Sequence, residues 1–340
     1  MNAQARQQHR AWALGLTLGL LALALLALGA GVGSTGFGSV WGALGGPHAD
    51  PLAAQIIWGI RLPRTLGAWL AGALLGLAGA VAQGLFRNPL ADPFLLGSAS
   101  GASLAVALTL ALFGVSPFAA GWGVTLGLTG AAFAGAVGAV LLTLALARGV
   151  LHTLRLLLAG VIVGVVLGAL ASLVTLLAPQ TLPAMQAFML GSTGFVGWPA
   201  CALMAAALAV SLLAAWVLSP VLDGLTLGEA TALSLGLPLA PLRLALVGVI
   251  ALATGAAVAQ TGLVAFVGLA APHLVRPLVR TTHGWLLLLS ALAGGALLLA
   301  ADLLARSAVA PLELPVGVVT AVLGGGYLLW LMQRGPGGRA

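Results

Sequence analysis

Lysine does not occur once in the 340 residues, so all 13 basic residues are arginine. A phosphate-binding loop of the form G-x-x-x-x-G-K-[ST] is therefore excluded, and any ATP-driven work needs a second polypeptide to hydrolyse the nucleotide. Acids are scarcer still, at six, and charged residues make up only 6% of the chain. Cysteine is represented by Cys201 alone, which excludes an intrachain disulfide and a cysteine metal cluster and leaves the side chain as apolar filler. The histidines His9, His48, His152, His273 and His283 are dispersed, with no i,i+4 pair and no HExxH spacing, so neither a metal site nor a cofactor is expected. Intramembrane hydrolysis finds the residue types in Ser290 or Ser307 with His273, but no glycine-serine motif marks either serine, and no catalytic residue is assigned. Finally, no long apolar run carries an ionisable residue at its midpoint, where a proton- or sodium-coupled carrier usually has one.

What the chain has in abundance is apolar. Hydrophobic residues make up 61% of it and the mean hydropathy is +1.17, values that a water-soluble domain does not reach. The reading is an all-α integral membrane protein, 1–340, forming one polytopic domain. Apolar windows between polar punctuation place spans near 11–32, 65–86, 95–112, 120–147, 156–177, 199–218, 242–260, 263–275, 284–304 and 316–333, ten in all. The first follows Arg6 and Arg10 but is too long for a signal-peptide core, so it is read as an uncleaved span. The eighth is too short to cross unaided and is expected to be a half-span packed inside the bundle.

Arginine placement sets the expected topology. With the N-terminus inside, Arg6, Arg10, Arg87, Arg148, Arg155, Arg243, Arg276, Arg280, Arg334 and Arg339 fall on inner segments and only Arg61, Arg64 and Arg306 outside. That is a strong positive-inside bias, and it places both termini in the cytoplasm. Arginines scattered in this way are topology determinants, so no nucleic-acid partner is expected. An echo, AVAQ at 80–83 and again at 257–260, fits two inverted-topology halves. Gly72, Gly76 and Gly79 at i,i+4 and i,i+3 spacing point to close helix packing.

Three stretches carry chemistry. Arg61 and Arg64, in "RLPR", begin the second span with Pro63 near its first turn. They oppose that helix's dipole and run against the positive-inside trend, leaving two readings, an acidic external partner or headgroup snorkelling. Arg306 follows Asp302 by four residues, so local pairing competes with an external role. The inner segment 219–240 holds Asp223 and Glu229, with Gly224, Gly228 and Gly236 dividing it into short helical pieces that carry Leu225, Leu227, Leu233 and Leu235. Too polar to insert and too apolar for a free linker, such a segment suits a groove in a cytoplasmic partner. The third stretch, "FRNPLADPFLLGSASG" at 86–101, places Arg87, Asn88 and Asp92 with Pro89 and Pro93 in an otherwise apolar chain. Irregular backbone at such depth is tolerated only beside water or protein.

Five motifs, "RLPR", "GLFRNPLADPFLLGSASGA", "LTLGEATALSLG", "GLVAFVGLAAPHLVR" and "ELPVGVVTAVLGGGYLLWLM", together resemble FecCD-type permeases of iron-siderophore, haem and vitamin B12 ABC importers, in order and spacing. The resemblance covers nearly everything after residue 50. It implies the type II ABC importer architecture of ten spans, in a prokaryotic inner membrane. It also implies a second permease chain, two cytoplasmic ATPase subunits and an extracytoplasmic substrate-binding protein as partners. By the same resemblance, Arg61, Arg64 and Arg306 meet glutamates of the binding protein. Asp223, Leu225, Leu227, Gly228, Glu229, Leu235 and Gly236 belong to the coupling segment that seats in the ATPase, and Asn88, Pro89 and Leu90 to the cytoplasmic gate. The expected cargo is a ferric siderophore, the broadest class in the family, with haem or cobalamin as alternatives. From another class, a self-sufficient ion-coupled carrier remains the competitor.

Overall fold

The computed structural model describes residues 3–31, 51–113, 122–147, 153–234, 236–279 and 281–334. The described residues are helical apart from their connections. In chain order the helices are α1 (Ala3–Gly31), α2 (Pro51–Ile56), α3 (Leu62–Leu85), α4 (Ser98–Phe113), α5 (Trp122–Leu146), α6 (Thr153–Leu177) and α7 (Leu182–Leu190). They continue as α8 (Trp198–Val217), α9 (Ser219–Thr226), α10 (Glu229–Ser234), α11 (Leu239–Thr261), α12 (Val267–Val275), α13 (His283–Ser307) and α14 (Val316–Arg334). Each of the ten expected apolar segments coincides with one of these helices.

The eighth segment holds a single short helix. At nine residues α12 reaches about 14 Å, and it packs against α3 and α13 inside the bundle. The second segment differs from expectation. A π turn, Ile57–Arg61, joins α2 to α3, so the helical run extends from Pro51 to Leu85. Pro63 therefore does not open the helix. It has no N–H to give to the preceding turn, and the wider π turn just upstream is where the helix absorbs that loss. The nine-residue α7, which follows a 3-10 turn at Pro179–Thr181, was not expected from the sequence.

Helix α3 is the axis. Between Leu62 and Leu85 only Leu62, Arg64, Leu66 and Trp69 escape full burial. Its largest partner is α13, and glycine explains the closeness: a Cβ on Gly72 would overlap the carbonyl oxygen of Gly294, and one on Gly76 that of Ser290. Small residues let the backbones approach where no hydrophobic drive operates between helices in lipid. Gly79 meets the Gly268 carbonyl of α12 in the same way. By contrast α1 and α6 lie at the periphery and present Leu16, Leu23, Val165 and Leu176 outward.

The bundle has two chemically distinct ends. At one, Trp12 and Trp216 flank Trp285 with ring centroids 4.8 and 6.3 Å apart, beside α9 and α10. At the other, Trp58 and Trp198 lie 6.4 Å apart near Arg61 and Arg64. Tryptophan at both ends of an apolar bundle is the aromatic belt of a membrane protein. The two AVAQ repeats lie in α3 and α11, which pack against one another and run in opposite directions.

Candidate functional site

The arginine end is built on Asp302, which is wholly buried in α13. Arg306 Nη2 approaches its Oδ2 at 2.7 Å, one helical turn away, so the i,i+4 pair expected from sequence is formed. Arg64 donates to Asp302 Oδ1 from Nε and Nη2, at 3.4 and 3.3 Å, and the Thr193 hydroxyl donates to the same oxygen. The far edge of the Arg64 guanidinium faces outward, where Nη1 donates to both oxygens of Glu313 at 2.8 and 3.1 Å. A buried carboxylate is tolerable only when opposite charge and hydrogen bonds offset its desolvation, and here two guanidinium groups and a hydroxyl converge on one.

Arg61 and Arg306 have a second task. Arg61 Nη1 donates to the carbonyl of Ala30, and Arg306 Nη1 to that of Gly29, each at 3.4 Å. These carbonyls belong to the last turn of α1, which has no intrahelical partners for them and carries the negative end of the helix dipole. The expectation that helix stability does not explain Arg61 is thus corrected, since it complements the dipole of α1, and Arg306 complements both that of α1 and that of its own helix, α13. All three arginine side chains are largely buried rather than displayed.

At the opposite end α9 and α10 form the short helix pair expected from 219–240. Gly228 and Gly236 adopt φ of 101° and 79°, left-handed values that make them true dividers, whereas Gly224 lies inside α9. Leu227 and Leu233 are exposed; Leu225 is instead fully buried in the core, and Leu235 lies outside the described residues. The two acids are engaged within the chain. Asp223 Oδ1 accepts the backbone N–H of His283 at 3.0 Å and sits 2.7 Å from its Nδ1, so α9 caps the N-terminus of α13. Glu229 Oε1 accepts from Arg243 Nη2 at 2.6 Å and lies 3.7 Å from Arg87 Nη2.

Arg87 belongs to the irregular connection after α3. It has φ 48° and begins an exposed turn of Arg87, Asn88, Pro89 and Leu90. Asn88 Oδ1 accepts the Leu90 N–H at 2.9 Å, an Asx turn, and Asp92 Oδ1 accepts the Phe94 N–H at 2.8 Å to cap a 3-10 turn at Pro93–Leu96. The Thr143 hydroxyl donates to the Leu96 carbonyl at 3.0 Å. The irregular backbone is therefore satisfied by its own side chains and by neighbouring helices, with Pro93 against Gly268 of α12. Gln83 ties α12 in from the other side, donating to the Leu269 carbonyl and accepting from Arg276 Nη2, both at 3.2 Å.

A cavity of ≈ 510 Å³ opens between α4, α6 and α7, with Ser100, Ser103, Ser172, Thr175 and Gln186 among its walls and no ionisable residue. Ser103, Ser172 and Thr175 donate their hydroxyl protons to carbonyls one turn back on their own helices. The hydroxyl protons of Ser103, Ser172 and Thr175 are thus already committed, and the rest of the wall is mostly apolar.

The FecCD transport family profile matches residues 19–334. The chain belongs to that family. Two relatives of this FecCD member are vitamin B12 import system permeases. That of Salmonella paratyphi A is 42% identical over 97% of this chain and 98% of its own length. That of Escherichia coli O6:K15:H31 is 41% identical over 98% and 99%. Among solved structures, an inward-facing transporter assigned to the metal-chelate ABC type superposes with a TM-score of 0.83 at 30% identity, covering 94% of this chain and 98% of that one. PsaBC from Streptococcus pneumoniae, at 19% identity and a TM-score of 0.55 over 79% of this chain and 91% of that one, shares the fold. The FecCD chain is accordingly a multi-pass ABC importer permease of type II architecture. The siderophore expectation is not confirmed: the relatives named here import vitamin B12, the alternative cargo.

Several residues that organise the two ends of this FecCD permease were not singled out from the sequence for these roles. Glu313, Thr193 and Arg243 find their partners 249, 109 and 14 residues away, and only Asp302 with Arg306 carried a local spacing signal.

Proposed function

We propose that this chain is the permease subunit of an ATP-driven importer of cobalamin. The observation that carries the cargo is the 42% identity, over 97% of the chain, to a vitamin B12 import permease. The chain resides in a prokaryotic inner membrane and pairs with a second permease chain across the pathway. The α9–α10 pair, with Leu227, Leu233 and Gly228 at its surface, docks on a cytoplasmic ATPase; the end bearing Arg61, Arg64 and Arg306 receives an extracytoplasmic binding protein. Helix α1 begins, and α14 ends, at the same end as α9 and α10, which supports cytoplasmic termini.

In this reading ATP supplies the differential. Nucleotide binding draws the two ATPases together and moves α9 and α10 with them. Asp223 passes that motion to the start of α13, and Glu229 passes it to α11 and to Arg87 beside Asn88, Pro89 and Leu90. The gate responds only in so far as ATP and the loaded binding protein each favour one pathway state over the other. Expression in a bacterium deleted for its own vitamin B12 permease tests the cargo. Restored uptake of labelled cyanocobalamin is expected; restored uptake of a ferric siderophore in the corresponding deletion strain, with none of cyanocobalamin, would overturn the assignment.

A further inference from the structure

We infer that Glu313 is a built-in stand-in for a partner's carboxylate, occupying the outward edge of Arg64 until the binding protein displaces it. The inference rests on the docking role proposed above for Arg64. Its basis is the division of the Arg64 guanidinium into two edges. The inner edge, Nε and Nη2, is held by Asp302, which is 0% exposed and cannot leave. The outer edge is covered by Glu313, whose side chain is 53% exposed while that of Arg64 is only 11% exposed. An incoming carboxylate therefore cannot reach Arg64 without taking the place of Glu313.

The surroundings let Glu313 give way while Asp302 stays in place. Among the described residues, Arg61, Arg64 and Arg306 at this end face Asp302 and Glu313, three positive charges against two negative, so a further anion is attracted. Asp302 is locked by Arg306 and Thr193 as well as by Arg64. The backbone of Glu313 is fixed by its neighbours: Leu314 donates to the Ala305 carbonyl and Leu312 to that of Val309, each at 3.0 Å. The side chain alone must move, by rotation into solvent. An exposed ion pair contributes little in water, whereas a carboxylate arriving within a docked interface is desolvated and gains more from the same guanidinium. A self-made pair of this kind keeps Arg64 from unspecific anions and lowers affinity for the partner in equal measure.

The test measures binding of the purified binding protein to the assembled transporter in nanodiscs, for the native chain, Glu313→Gln and Arg64→Lys. Glu313→Gln should bind about two- to tenfold more tightly, and Arg64→Lys, which keeps the charge for Asp302 but loses the two-edged fork, should bind more weakly. Unchanged binding by Arg64→Lys would sink the docking role itself. Weakened binding by Arg64→Lys together with unchanged or weaker binding by Glu313→Gln would leave that role standing and overturn the stand-in. Should Arg64→Lys fail to assemble, Arg64→Gln, which leaves Asp302 paired with Arg306, provides the same comparison.

Discussion

Glu229 and Arg243 meet at 2.6 Å across the joint between α10 and α11, with the arginine side chain almost wholly buried and the carboxylate partly open. The acid that the sequence suggests as an ATPase contact also fastens its own chain. The distinction is measurable. Replacing Glu229 by Ala leaves a buried guanidinium short of its carboxylate, a loss of roughly 1–3 kcal/mol after allowing for the exposure of the acid. Purified Glu229→Ala permease should therefore melt at a lower temperature without any ATPase present. An unchanged melting point with loss of ATPase co-purification would show that the partner's interface, and not the internal pair, is where Glu229 matters.

Asp302 carries a larger load. Among the described residues, Asp302→Asn removes the one carboxylate at the inner edges of Arg64 and Arg306, both mostly buried, and breaking such a buried pair costs about 3–5 kcal/mol. Detergent-solubilised protein should show sharply reduced thermal stability and altered protease sensitivity at the end of α1, whose last carbonyls Arg306 helps to hold. Wild-type stability in this variant would contradict the network.

Close packing of α3 on α13 gives a steric prediction. At Gly76 a side chain would run into the Ser290 carbonyl, which is backbone and cannot step aside. Gly76→Val should force the helices apart and cost about 1–3 kcal/mol, read as lower yield and melting temperature, while Gly127→Val, where nothing lies nearby, should be tolerated.

Asp92 lies in the connection between α3 and α4, where burial pushes its carboxyl above the ordinary 3.8 and the Phe94 N–H pulls it part of the way back. The folded state then holds this proton more tightly than the unfolded chain. Its contribution to stability is greatest in acid and is lost as pH rises from 3.8 through the raised folded-state value. Asp92→Asn should keep the cap on the 3-10 turn and flatten that part of the pH profile, whereas Asp92→Ala should lose about 1 kcal/mol of capping. Melting curves of the three proteins between acid and neutral pH decide the matter.

The sequence disclosed what depends on local pattern. Ten apolar segments, the short eighth one and the Gly228 and Gly236 divisions follow from residue type and spacing, and each reappears in the helices. The start of the second span did not, because Pro63 looks like an opening residue and the π turn that accommodates it leaves no compositional mark. Helix α7 was missed because nine residues between two turns are too few to show a period. Nor could the tasks of Arg61, Arg64 and Asp223 be seen, since their partners Ala30, Glu313 and His283 are set beside them only by the assembled bundle. The five family motifs mark the transporter class, and cargo is not written in them.

The most direct test of the account is uptake of labelled cyanocobalamin by proteoliposomes containing this permease, its ATPase and its binding protein. Accumulation that requires ATP and all three proteins, and that a proton or sodium gradient cannot replace, is the predicted result. Uptake by the permease alone under an ion gradient, or ATP-dependent uptake of a ferric siderophore with none of cyanocobalamin, would contradict it.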